Sequence, residues 1–287
     1  MRYVILTIIG LSFFAAAAEA GPSGGGEDAA MKAQNPLANI ISMPLQWNTD
    51  FGIGPDDKTG SILNIQPIYP VDLGKGRTLI NRAIIPFPKT VPGGGQSSGD
   101  TLGLGAVVGN LGSGSSSGRK TGLGDITLMN WYSPEPKGAF MWGAGPVTVW
   151  PTATDKKLGT GKFSIGPSVV LVYSKPGKYI AASVINAWWD VAGRGSAPDV
   201  GVFYWQPIFN YFLPNRWYAT TAPVITKDLE GESGQKWIVP LGGGIGKMFN
   251  WGDLPMDITA QYYHYVEAPD AGPEWMFRLQ LKFIFPQ

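Results

Sequence analysis

The stretch WMFRLQLKFIF, Trp275 to Phe285, decides the fold. Trp275, Phe277, Leu279, Leu281, Phe283 and Phe285 fall on one parity, and Met276, Arg278, Gln280, Lys282 and Ile284 on the other. An α-helix would scatter these sets, because residues two apart on a helix point to different sides; only a β-strand sorts them by face. The same period runs through Met43, Leu45, Trp47, Thr49 and Phe51, through Leu63, Ile65, Tyr69, Val71 and Leu73, and through Phe203, Trp205, Phe209, Tyr211 and Leu213. Weaker alternation marks 78–87, 123–132, 140–150, 163–173, 179–191, 217–226, 237–248 and 256–266. Together these stretches predict about twelve strands of the roughly 9–11 residues that cross a bilayer at a tilt.

The connections sort by parity. Gly74-Lys75-Gly76, Ser133 to Gly138, Ser174 to Gly177, Pro214-Asn215-Arg216 and Asn250 to Asp253 are short. The alternate ones, Gly52 to Ser61, Pro88 to Gly122, Thr152 to Lys162, Ala192 to Asp199, Lys227 to Gln235 and Glu267 to Glu274, are longer and more polar. Short turns at one end and long loops at the other is the pattern of an outer-membrane barrel. A soluble sandwich has no reason to sort its loops this way. The expected fold is therefore an all-β, antiparallel, up-and-down transmembrane β-barrel, with apolar faces toward lipid and polar faces inward. Trp47, Tyr69, Trp131, Trp142, Trp150, Tyr173, Trp217, Trp237 and Trp275 stand near predicted strand ends, where amphipathic rings favour the headgroup level.

Composition agrees. Lys and Arg number 22 against 21 Asp and Glu, a net charge of +1, which excludes a nucleic-acid binder needing an excess of cations. Gly and Pro, at 40 and 24 of 287 residues, exclude a helical bundle or a helix-rich nucleotide-binding fold. The absence of Cys excludes disulfides, thiolate metal sites and a lipoprotein anchor. Residues 1–20, with Arg2, the apolar run Val4 to Ala18 and Ala18-Glu19-Ala20, read as a cleaved export signal. Residues 21–42 read as a flexible segment, and 43–287 as the barrel. The expected location is the outer membrane of a Gram-negative bacterium, among outer-membrane lipid and lipopolysaccharide.

Several stretches resemble a family of outer-membrane barrels labelled for the meta-pathway of phenol degradation, whose members are often called simply transporters or misnamed neuromedin U. They are Asn35-Pro36-Leu37-Ala38, Trp47 to Asp56, Asn64 to Pro67, Gly122-Leu123-Gly124-Asp125, Trp142 to Pro146, Pro151-Thr152-Ala153-Thr154-Asp155 with Leu158 to Lys162, and Gly272-Pro273-Glu274 with Phe285-Pro286. The resemblance runs from about residue 35 to the end and implies a transport-like barrel of ill-defined cargo. The Gly/Ser-rich insert from Gly93 to Ser117 is longer than that pattern.

Chemistry-bearing motifs are few. Gly159-Thr160-Gly161-Lys162 fails as a phosphate loop, because Lys156 stands where Gly is needed and Phe163 where Ser or Thr is needed. It reads as an ordered loop turn. Gly242 to Gly246 reads as bare backbone for bulky neighbours to pack on. His264, the sole histidine, shares parity with Tyr262 and Val266; outer-membrane phospholipases carry Ser where Val266 stands, so His264 reads as an interfacial residue. No enzyme and no cofactor is expected. Asp56, Asp57, Lys58, Asp155, Lys156, Lys157, Glu230 and Glu232 read as solvated charges at the loop mouth.

The candidate selectivity residues are Arg82, Asp125, Asp190, Gln206, Asp257, Gln261, Arg278 and Lys282, all expected to face the lumen. They imply passage of a small solute, aromatic or apolar, across the outer membrane without a chemical step. The alternative is a plugged structural or adhesion barrel acting through its loops. Oligomeric state is left open by the sequence.

Overall fold

The computed structural model describes residues 31–89, 120–193, 195, 197–230, 236–270 and 272–285. The export signal, the start of the N-terminal segment, the Gly93–Ser117 insert and Glu232 lie outside them. Fourteen strand segments follow in order: β1 (Ile41–Ile53), β2 (Lys58–Ile65), β3 (Ile68–Asp72), β4 (Thr78–Lys89), β5 (Ile126–Ser133), β6 (Phe140–Trp150), β7 (Lys162–Lys175), β8 (Tyr179–Gly193), β9 (Gly201–Phe212), β10 (Trp217–Thr221), β11 (Ile225–Asp228), β12 (Trp237–Trp251), β13 (Leu254–Glu267) and β14 (Trp275–Phe285). Segments β2 and β3 both lie between β1 and β4, and β10 and β11 both lie between β9 and β12. Each pair is one crossing broken at a proline, Pro67 or Pro223, whose missing N–H interrupts the ladder. Fourteen segments thus make twelve crossings.

Every crossing pairs antiparallel with its sequence neighbours, and β1 pairs with β14 from Ile41↔Phe285 to Phe51↔Trp275. The ring has no free edge, and in lipid it must have none, since hydrocarbon offers the backbone no partner. The turns 73–77, 134–139, 176–178, 213–216 and 252–253 share the end that holds both termini of the barrel. Longer loops gather at the other end, with one exception. Residues 52–61, expected as a loop, are mostly strand, and β1 and β2 meet across a tight turn at 54–57.

The outer surface is the expected apolar band. Trp47, Trp142, Trp150, Tyr173, Trp217 and Trp237 all stand exposed on it, as do Leu171, Leu241, Ile245 and Leu279 between the ends. Trp131 is the exception: it is fully buried inside, with its indole N–H donating to Ser168 Oγ at 2.6 Å. Register explains the reversal, since Thr127, Met129 and Trp131 share the inward parity of β5.

The interior departs more broadly from expectation. Inner faces of β1, β2, β10, β13 and β14 carry the expected polar residues, including Gln46, Asn48, Asn64, Thr220, Gln261 and Arg278. Inner faces of β4 to β9 are largely apolar: Ile80, Ile84, Met129, Trp131, Val147, Val170, Val172, Val184, Trp188, Val202 and Tyr204 form one cluster. Strands such as β7, with Val169 to Tyr173, are apolar on both faces, so one wall of the lumen is greasy and the other wet.

The lipid band makes a depth-dependent prediction. Leu279 stands mid-strand and Val266 near the loop end of β13, both exposed. Leu279→Arg should cost about 2–4 kcal/mol and Val266→Arg about 0–1 kcal/mol. Denaturant titration of folding into lipid vesicles measures both.

Candidate functional site

Residues 31–40 enter the lumen from the turn end. A single helical turn over 31–34 leads into a bend and then β1. Met31 and Leu37 are buried within the apolar wall's cluster. Gly177 N–H, in the β7–β8 turn, donates to Met31 Sδ at 3.0 Å. Leu37 fits because position 143 is glycine: a Cβ there would press Leu37, Val170 and Trp131 at 3.1–3.2 Å. The polar wall holds the other side of the segment. Lys282 Nζ donates to Ala33 O at 2.9 Å and to Gln34 Oε1 at 3.1 Å, and Gln34 Nε2 donates to the Tyr218 hydroxyl at 3.1 Å.

Above this occupant lies a cavity of about 130 Å³, and the predicted residues Arg82, Gln206, Gln261, Arg278 and Lys282 all line it. Arg82 Nη2 donates to Gln66 Oε1 at 2.7 Å. Arg278 stacks its guanidinium 4.9 Å from the Tyr263 ring centre; its Nη1 donates to Ala222 O at 2.8 Å and Gln261 Oε1 at 3.2 Å, and its Nε to Asn48 Oδ1 at 3.3 Å. Both proline breaks serve these cations. Gln66 and Ala222 immediately precede Pro67 and Pro223; Gln66 N–H still donates to Pro44 O at 2.9 Å, whereas Ala222 N–H leaves the ladder for the Tyr263 hydroxyl at 2.9 Å. The Ala222 carbonyl is thereby free to accept from Arg278, and the Gln66 side chain is aimed at Arg82.

The carboxylates are turned away from the cavity. Asp257 is fully buried behind Tyr218, whose hydroxyl lies 2.8 and 2.7 Å from its two oxygens, with Thr259 Oγ1 donating to Oδ1 at 3.2 Å. Asp50 is likewise fully buried and accepts from Tyr265 Oη at 2.9 Å. Tyr218 reaches Asp257 because position 246 is glycine; a Cβ there would overlap the phenol ring at 2.1 Å. The glycine run of β12 therefore does serve close packing. Sequence reasoning missed Tyr218 and Asp50. Asp50 carried a signal, being on the same face as Gln46 and Asn48.

Asp125 and Asp190 do not join this group. Asp125, fully buried at the loop end, accepts from Thr160 N at 2.7 Å, Thr160 Oγ1 at 2.9 Å and Ala153 N at 3.2 Å. Burial nevertheless pushes its carboxyl above the usual carboxylate range, outweighing these donors. Around it, Thr152 Oγ1 donates to Gly124 O at 2.8 Å and Thr154 N to Leu123 O at 3.0 Å. The Gly159–Lys162 turn is thus an ordered loop element. Asp190 pairs with Lys162 at 2.8 Å and accepts from Val200 N at 2.7 Å, closing the β7 and β8 ends of the same mouth. Nearby charges pair on the surface, Lys58 with Asp56 and Lys120 with Asp155. His264 faces outward beside Trp275, as its parity predicts.

Two substitutions test these assignments. Tyr218→Phe leaves the buried Asp257 without its main donor and should lower stability by about 1–3 kcal/mol, read by thermal unfolding in detergent. Asp125→Ala should loosen the mouth without melting the barrel, seen as faster tryptic cutting at Lys156 and Lys157.

No protein-family model and no curated protein matches the sequence. Among solved structures, the chain is similar to an outer-membrane channel from Pseudomonas putida F1 at 14% identity and a TM-score of 0.61, over 93% of this chain and all of that one. It is also similar to the porin NanC at 9% identity and a TM-score of 0.51, over 85% of this chain and 98% of that one. These likenesses are of fold. Together with the closed twelve-crossing ring and its apolar exterior, they make this chain a β-barrel of the Gram-negative outer membrane.

Proposed function

We propose that the protein is a gated channel that passes small molecules, aromatic or apolar in part, across the outer membrane without a chemical step. The observation that carries this reading is the two-sided lumen: an apolar wall on β4–β9 faces a polar, cationic wall on β13–β14, with a cavity beside them. A barrel serving only as a support gains nothing from guanidinium groups buried within a greasy inner wall, as Arg82 is, and opposite it, as Arg278 is, since each is costly to desolvate. Arg82, Gln206, Gln261, Arg278 and Lys282 would set what passes, Asp257 would hold Tyr218 in place, and Asp125 and Asp190 would hold the mouth in shape. In this reading residues 1–20 are the export signal, residues 21–42 the segment ahead of the barrel, and lipid and lipopolysaccharide its surroundings.

Residues 31–40 act as the gate. Met31 and Leu37 together contribute about 3–6 kcal/mol of apolar burial, and the Lys282 and Tyr218 contacts add a few hydrogen bonds of about 1 kcal/mol each. That sum is small enough for reversible release. A second reading, a permanently plugged structural barrel, draws on the same segment. Planar-bilayer recordings separate the two. The whole mature chain should give small steps, and a variant lacking residues 21–40 should give steps several-fold larger. If both leave the bilayer tight, the structural reading stands.

A further inference from the structure

The cavity beside the gate has a one-signed wall. Lys32, Arg82, Arg278 and Lys282 line it, and no Asp or Glu does among the described residues. Of the two nearby carboxylates, Asp257 accepts from the Tyr218 hydroxyl and Asp50 from that of Tyr265; neither lines the cavity, though Asp50 acts electrostatically on Arg278 and Asp257 on Lys282. Lys282 has Asp257 as its register partner on β13, yet among the described residues its Nζ donates to neutral oxygens alone, Ala33 O and Gln34 Oε1. Arg82 is the sharper case. It stands on β4 between Ile80 and Ile84 of the apolar wall and, among the described residues, forms no ion pair and has one neutral acceptor, Gln66 Oε1. Its Nε is buried and has no acceptor among the described residues.

A guanidinium held this way, at the seam of an apolar wall, is short of an anion. A carboxylate matches the guanidinium fork in geometry and bonds it about twice as strongly as a neutral acceptor does. Ile68, Ile208 and Pro36 line the same cavity and supply an apolar side. At about 130 Å³ it is close to the roughly 150 Å³ apolar cavity that holds a benzene ring. We propose that this cavity is a binding site for an organic monocarboxylate with an aromatic body, the carboxylate on Arg82 and Lys282 and the ring against Ile68 and Ile208. The inference deepens the channel reading by naming its substrate class.

Calorimetric titration of the detergent-solubilised mature chain tests it with four probes: benzoate, benzyl alcohol, benzylammonium and acetate. Benzoate should bind at least tenfold more tightly than each of the others. Arg82→Gln should weaken benzoate at least tenfold with little change for benzyl alcohol, and Arg82→Lys should recover part of the loss. The gel shift between boiled and unboiled protein verifies that each variant is folded. Equal affinity for benzoate and benzyl alcohol, or a folded Arg82→Gln that binds benzoate as the parent does, overturns the anion site. Acetate binding as well as benzoate overturns the aromatic part. Because the readout is equilibrium binding, a tight bilayer would sink the channel reading and leave this site standing, and absent benzoate binding in a conducting protein would do the reverse.

Discussion

Backbone hydrogen bonding in a medium that offers none governs the rest of this structure. Every crossing must find both partners within the chain, which forces the last strand onto the first. The β1–β14 register accomplishes this over the full length of β14, from Trp275 to Phe285. Closure fixes the sidedness of every strand, because one residue of slip would turn Leu279 inward and Arg278 into lipid. The two places where the ladder is broken are tolerated for different reasons: at Pro223 the freed Ala222 carbonyl accepts from Arg278, and at Pro67 the flanking backbone stays paired, Gln66 N–H with Pro44 O and Pro67 O with Ala83 N–H.

The ring was legible in the amino-acid sequence for a physical reason. Alternation has one structural meaning, and loop length is free to vary only where it meets no membrane. All twelve expected crossings exist, and the turn and loop ends separate as predicted, except that 52–61 is mostly strand closed by a tight turn at 54–57. The interior was less legible. Where both parities are apolar, as in Val169 to Tyr173, period two says nothing about what lies inside. Trp131 shows the same limit: an aromatic near a strand end fits a headgroup belt or a core, and only register decides.

The site was legible in part. Arg82, Gln206, Gln261, Arg278 and Lys282 converge on one cavity because each sits on a polar inward face. Asp125 and Asp190 were grouped with them by charge alone, whereas their positions at strand ends commit them to the mouth. There the stretches ending in Asp125, in Asp155 and in Lys162 prove to be one object. Asp125 gathers the backbone of Ala153 and Thr160 around a single carboxylate. Motifs that look unrelated along the chain are donors and acceptor of one knot.

The lumen's occupant has a bearing on how the barrel is made. Residues 31–40 run straight into Ile41, the first residue of the strand whose far edge waits for β14. The stopper and the closing seam are therefore neighbours on one piece of chain. Lys282, which grips the stopper at Ala33 and Gln34, belongs to β14 itself. The strand that closes the ring therefore also carries the side chain that holds residues 33 and 34, so closure of the cylinder and seating of its occupant depend on one strand.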